Sequence, residues 1–361
     1  MKCFSRTSWL LFSGICLLWT ACVKDKPDPG HNGHTITDDR KIFIANEGVF
    51  GNGNASLSYI NTVTDSIINN VYAAANNNMP MGDVLQSLTV WNDQLYLVVN
   101  NSNKIIITDK KTFVKKGEIS VTQPRYLKII DQNKAYITSM YGSRIYVFNP
   151  STNQITDTIH TTNRHNEGIT TLNNKVYVCP WDTACNYIYE IDPAGTGISR
   201  QISIGGYAPT QVLADKNQKL WVIAGNHTYG KQATITQIDP VTGNILKTIS
   251  FGSDADLIKP AFNPAKDTLY FIGVNYQGAT NSYNGIYRMP ISATQAPAQA
   301  FIPAQQLQYF WALGIDPATG LIYVGDPKGF IQKGSVLVYR QDGSLVKQFL
   351  AELGPGYFYF E

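Results

Sequence analysis

The sequence predicts an all-β protein: a seven-bladed β-propeller of four-stranded antiparallel blades, closed by the C-terminal strand pairing into the first blade. The first observation is a short apolar run with an aromatic at its second position. It recurs seven times, beginning at Ile42, Leu95, Ala135, Val176, Leu220, Leu269 and Ile322. The aromatics are Phe43, Tyr96, Tyr136, Tyr177, Trp221, Tyr270 and Tyr323, separated by 53, 40, 41, 44, 49 and 53 residues. A recurrence near ~40–50 residues marks propeller blades. The second observation is turn chemistry at fixed places in each repeat. The third is a terminal aromatic strand with no repeat after it.

The chain opens with an address rather than with the fold. Residues 1–21 carry a basic start, Lys2 and Arg6, and then the mostly apolar stretch Trp9 to Leu18. That stretch is shorter than the ~20 residues a spanning helix needs and reads as an export signal. Thr20 and Ala21 precede Cys22, which resembles the lipobox of bacterial lipoproteins and implies lipidation of Cys22. Trp19 stands where leucine is usual. The alternative is an ordinary secretory signal cut near Ala21. The next segment favours the anchor: residues 22–40 hold Pro27, Pro29, Gly30 and Gly33 among polar residues. Such a composition buries too little apolar surface to fold and makes a flexible tether.

Residues 41–361 suit one large domain with a sizeable core. The formal charge of +3 falls to +1 once Lys2 and Arg6 leave with the signal. No charge run comes after it, so nucleic-acid binding, which depends on neutralising phosphates, has no support.

Each repeat parses alike. In the second, residues 84–90 form the inner strand, 94–100 the next, 104–109 the third and 114–120 the outer one, with β-branched residues dominant. Turns come after the inner strands at Asn92-Asp93, Asp131-Gln132-Asn133, Asn173-Asn174 and Asp215-Lys216-Asn217. Asn149-Pro150, Asp192-Pro193 and Asp239-Pro240 come after the third strands, where proline, lacking an N–H, ends pairing. The first repeat opens at Lys41 without an inner strand, and Tyr357 to Glu361 at the far end supply it. The recurring aromatics are expected to pack between blades.

Cys179 and Cys185 flank a predicted turn. Outside the cytoplasm a bridge between them is allowed, and a hairpin disulfide is favoured over free thiols. A metal site is not expected, since no nearby His or second Cys pair completes a tetrahedron.

In a propeller, the loops leading into inner strands and those joining second to third strands emerge on one face. Here they carry Asn46 to Asn54 with Phe50, Asn100 to Asn103, Met140-Tyr141-Gly142, Pro180-Trp181-Asp182, Asn226 to Tyr229, and Asn275-Tyr276-Gln277. The leading loops bring Met79, Met81, Gln123-Pro124-Arg125, His165-Asn166-Glu167, Gly206-Tyr207 and Tyr309-Phe310-Trp311. One rim is thus rich in aromatics and amides with few charges, as a binder of a large, neutral, partly apolar ligand would present. The competing explanation is ordinary turn composition. No H-E-x-x-H, G-x-S-x-G or phosphate-cradling motif occurs, and no enzyme or cofactor is expected.

With these residues in view, the chain resembles the YncE-like family of seven-bladed propeller lipoproteins of Bacteroidetes. The likeness runs from Lys41 to Glu361. It is carried by Ala45-Asn46-Glu47-Gly48, Gly53 to Tyr59, Gly82 to Ser87, Val98 to Ser102, Gln123 to Tyr126 and the closing Gly356-Tyr357-Phe358-Tyr359-Phe360. Lys24-Asp25-Lys26 resembles the export signal of surface lipoproteins in that group. Relatives include BtuG-type surface proteins, so the resemblance implies capture of a corrinoid (cobalamin) and transfer to a TonB-dependent outer-membrane transporter. It implies a lipid-anchored outer-membrane location facing the exterior. Asn46, Phe50, Asn101, Arg125, Tyr141, Trp181, Tyr229 and Trp311 are the expected capture residues. His227 is weighed as a cobalt ligand and set aside as a loop residue. A cell-envelope scaffold or adhesin is the alternative, and a propeller lyase or oxidoreductase a third.

Overall fold

The computed structural model describes residues 40–252, 255–275 and 284–361. The signal, Cys22 and the tether lie outside the described residues. Within them stand seven four-stranded antiparallel sheets. Their inner strands, in ring order, are Leu85–Trp91, Pro124–Ile129, Asn166–Leu172, Pro209–Ala214, Asp256–Phe262, Ala312–Ile315 and Pro355–Phe360. Each adjoins the next, and the last adjoins the first. The second blade is Leu85–Trp91, Gln94–Val99, Lys104–Asp109 and Lys115–Ser120, within a residue of the sequence parse.

The seven apolar clusters of the core map onto the seven interfaces between neighbouring blades. Alternate side chains of a strand point to opposite faces. In Gln94–Val99, Leu95, Leu97 and Val99 face the first blade, and Tyr96 and Val98 face the third. Every recurring aromatic obeys one register: each packs into the interface with the blade that comes after it in the ring. All seven are buried. The polar tips are accommodated at the rim of the packing: Tyr96 Oη donates to Gln94 and to Asn153 at 3.0 Å, and Trp221 Nε1 donates to Asp215 at 2.9 Å.

The turns close through side-chain carboxamides and carboxylates. Asp131 accepts the Asn133 and Lys134 amides, Asn149 those of Ser151 and Thr152, and Asp239 those of Val241 and Thr242. These Asx turns explain why Asp and Asn recur there. A five-residue helix, Val71–Ala75, leads from the first blade to the second and buries Val71 and Tyr72 between them. It escaped the sequence reading because five residues are too few to show a helical period.

Ring closure takes the expected route. Pro355–Phe360 pairs antiparallel with Lys41–Asn46, setting Ile42 opposite Phe360 and Ala45 opposite Tyr357. Phe358 and Phe360 pack on Tyr323 of the seventh blade, with ring centroids at 6.1 and 5.5 Å. Arg40 grips Asp316 through both guanidinium nitrogens at 2.7 and 2.6 Å, tying the start of the first blade to the seventh.

The expected disulfide is corrected. Cys179 and Cys185 are both buried free thiols. Cys179 packs in the apolar cluster between the fourth and fifth blades, while Cys185 lies beyond the turn with its thiol donating to the Tyr187 carbonyl at 3.2 Å. Burial pushes the Cys179 thiol well up and that of Cys185 up to about 11.

Deleting Tyr357 to Glu361 removes most of the strand that both completes the first blade and fills the interface with the seventh. A sharp fall in melting temperature is expected by calorimetry, and an unchanged melting curve would contradict closure.

Candidate functional site

Every inner strand except that of the seventh blade is preceded or interrupted by a residue in the left-handed region: Val84, Gln123, His165, Ala208, Lys259 and Gly354. Four of the next residues are Pro124, Pro209, Pro260 and Pro355. Register shifts accompany these kinks in the second to sixth blades, as at a β-bulge. The kinks re-aim the adjoining side chains toward the axis of the ring, on the face where the elaborate loops emerge.

There they enclose a cavity of about 770 Å³. Its outer rim is aromatic: Phe50, Tyr229 and Tyr141 are 76%, 69% and 61% exposed. Trp181, Trp311, Phe330 and Met140 form the wall. Trp311 meets Phe330 edge-on at 5.6 Å between centroids. The Trp181 indole N–H is buried with no hydrogen-bond acceptor.

The floor is polar and charged. Arg125 Nε reaches both Glu167 oxygens at 2.8 and 2.9 Å, and its guanidinium also donates to Gln86. Burial pulls the Arg125 pKa down, and the Glu167 charge and hydrogen bond together with Tyr126 and Glu47 bring it above its ordinary value. Gln86, Arg125 and Glu167 each lie two residues past the kinks of three successive blades, so equivalent positions make one hydrogen-bonded arc. Beyond it, Lys259 Nζ lies 3.9 Å from Glu47 Oε1. Glu47 reaches inward because Gly356 has no side chain; a Cβ there would meet Glu47 Oε1 at 2.4 Å. Below, Tyr126 meets Tyr357 at 6.4 Å between ring centroids, and Gln211 Nε2 donates to Tyr126 Oη at 3.1 Å. Tyr126 thus links side chains of three non-adjacent inner strands at the base of the cavity, and burial pushes the Tyr357 hydroxyl pKa up.

The loops are pinned to one another. Asp83 accepts the Gly51 amide at 2.9 Å and the Asn101 side-chain amide, fixing the loop that carries Phe50. The His165 carbonyl accepts the Trp181 amide at 2.8 Å, and its Nδ1 accepts the Tyr141 amide at 3.3 Å. Asp256 accepts the His227 amide at 2.8 Å, anchoring the turn that bears Tyr229; burial raises the Asp256 pKa.

Seven of the eight expected residues therefore line one cavity: Phe50, Asn101, Arg125, Tyr141, Trp181, Tyr229 and Trp311. Asn46 does not. It is fully buried and donates to Ser58 Oγ at 2.8 Å, because it ends a second strand whose two faces both lie inside the fold. Met81 is likewise a core residue, while Met79 is half exposed. Tyr276 and Gln277 lie outside the described residues. Glu167 pairs with Arg125, and Asp182 accepts the Ala184 amide. His227 is not part of the cavity wall.

The sequence reading missed the floor, namely Gln86, Tyr126, Gln211 and the Glu47–Lys259 pair, together with Phe330 on the wall. Phe330 lies in the loop between Ile322–Asp326 and Ser335–Tyr339. That loop holds the same place in the seventh blade as the other rim loops, so parsing this blade like the rest would have found it. The floor residues carried no signal, because their meeting depends on ring geometry.

A family model described as Domain of unknown function (DUF5074) matches residues 40–360. No curated protein matches the chain. Among solved structures, a quinonprotein alcohol dehydrogenase-like protein of Bacteroides thetaiotaomicron superposes with a TM-score of 0.66 at 14% identity, covering 89% of this chain and 78% of that one. A Lactobacillus plantarum protein gives 0.66 at 12% identity, covering 89% and 99%. Kuenenia stuttgartiensis hydrazine synthase gives 0.58 at 16% identity, covering 73% and 85%. At these identities the likeness is one of fold, and fold does not carry function.

Two outcomes are expected from this geometry. Glu167→Gln leaves the Arg125 charge mostly buried without a counter-charge, and chemical denaturation should show a loss of about 3 kcal/mol. Burial lowers the His165 pKa below its ordinary 6.5. The stability this contributes is present above that value and is lost as pH falls through the depressed one, when Nδ1 gains a proton and can no longer accept from Tyr141. An NMR titration of His165 should therefore find a pKa below 6.5; a value at or above it contradicts the pinning.

Proposed function

The chain belongs to the DUF5074 family, and from that premise we propose that it is a ligand-capturing lipoprotein of the cell envelope rather than an enzyme. The observation that carries this reading is the cavity: an aromatic rim and wall over a hydrogen-bonding floor, at the mouth of the ring. Its volume lies within the ~300–1,000 Å³ common for small-molecule sites. Exposed Phe50, Tyr141 and Tyr229 offer broad contact faces with few rotatable bonds, and Asn101, Gln123 and Asn226 offer adaptable amides.

The ligand proposed is a corrinoid, a large, flat, nearly neutral molecule ringed with amides. Aromatic faces suit its plane, and the amide and charged groups of the cavity suit its periphery. Glu47 and Glu167 each face a cation instead of each other. That arrangement leaves both glutamates paired, as structural groups of a binding floor would be. Lipidation at Cys22, exposure on the outer membrane and delivery to a TonB-dependent transporter belong to the same proposal. They rest on the signal, the tether and the resemblance of the sequence.

Titration calorimetry with cyanocobalamin tests the ligand. Saturable heat at micromolar protein is expected, and Trp181→Ala should weaken it by roughly tenfold or more, as for a buried aromatic anchor. No heat from the folded wild-type protein removes cobalamin from the proposal.

A further inference from the structure

Two cations line the cavity, and they are held very differently. Arg125 is held by Glu167 and Gln86. The Lys259 ammonium makes no hydrogen bond among the described residues. It stands 3.9 Å from Glu47 Oε1, beyond hydrogen-bond reach, and 5.9 Å from the centroid of the Trp311 ring. Yet the Lys259 side chain is only 15% exposed. A lysine ammonium has three donors, and no acceptor among the described residues takes any of them here, so they are open to the cavity. Lys259 is also at the kink of its inner strand, with φ 50 and a register shift between Ile258 and Ala261. The kinks of the other blades carry Val84, Gln123, His165, Ala208 and Gly354. Only in the sixth blade does this turn present a long cationic chain to the cavity.

We infer that Lys259 is the polar anchor of the site, reserved for an oxygen acceptor on the ligand: a carbonyl, carboxylate or phosphate oxygen seated beside Trp311. Glu47 holds the ammonium in place by charge without occupying its donors. The incoming oxygen then completes the ammonium's hydrogen bonds while the flat part of the ligand lies against Trp311. This deepens the capture reading and rests on it for the site, though not for the identity of the ligand.

The test compares wild type, Lys259→Met and Lys259→Arg. Lys259→Met keeps the length and removes the charge; its fold is checked by its melting curve. Calorimetry with cyanocobalamin should show roughly tenfold or greater weakening in Lys259→Met, the scale of a hydrogen bond to a charged group, with partial recovery in Lys259→Arg. Cobinamide, which lacks the nucleotide phosphate, separates the sources. A loss shared by both corrinoids identifies a carbonyl, and a loss confined to cyanocobalamin identifies an oxygen of the nucleotide loop that carries the phosphate. Binding within twofold of wild type in a folded Lys259→Met overturns the inference. If wild type binds neither corrinoid, the ligand proposal fails by itself, and Lys259 is then judged with nicotinate, a flat aromatic carboxylate. Saturation-transfer NMR should show nicotinate contact in wild type and its loss in Lys259→Met. No contact in wild type, or equal contact in both, overturns the inference.

Discussion

The structure depends on one constraint: each second strand must be covered on both faces by neighbouring blades. Leu95 and Tyr96 look in opposite directions, and both are fully buried. A blade at the end of an open stack would expose one such face, including a Tyr or Trp that buries on the order of 150–250 Å². The ring removes both ends at once. It closes because the last strand of the chain belongs to the first blade, so the chain itself runs from the seventh blade back into the first. The Arg40–Asp316 fork and the Phe358–Tyr323–Phe360 packing lie on that same seam.

Closure also creates the site. Seven inner strands converge on one axis, and their kinks turn the adjoining residues inward. Gln86, Arg125 and Glu167 are distant in sequence yet become neighbours in one arc. Tyr126 joins Tyr357 and Gln211 at the base of the cavity. A ligand in this cavity therefore meets a firm floor, and the rigid ring supports loops that tie to one another through Asp83, His165 and Asp256. Pre-arrangement of this kind limits the ordering cost of binding.

The cavity divides its chemistry by depth. Apolar contact sits at the rim and wall, where area burial is the dominant gain. Charge sits at the floor, where surrounding protein strengthens electrostatic interactions and penalises groups left unpaired. Specificity in such a site comes from the few polar groups at depth, while the aromatic wall sets how broad and flat an occupant can be.

The sequence by itself determined the blade count, the strand order and the closing strand, because period-two apolar patterning and a repeat of about 45 residues are local properties that survive into the fold. It also brought Phe50, Asn101, Arg125, Tyr141, Trp181, Tyr229 and Trp311 to one face, since loop position is set by strand order. The tertiary structure alone decided the rest. Asn46 and Asn101 are the same residue type near the ends of equivalent strands, yet Asn46 is still within its strand and only Asn101 lies beyond it. Cys179 and Cys185 are six positions apart, but the Cys179 thiol turns into the interface with the next blade while that of Cys185 turns to the Tyr187 carbonyl of its own blade. The floor exists only because residues from separate blades meet at the axis. Such meetings are set by ring geometry, which no local stretch of sequence encodes.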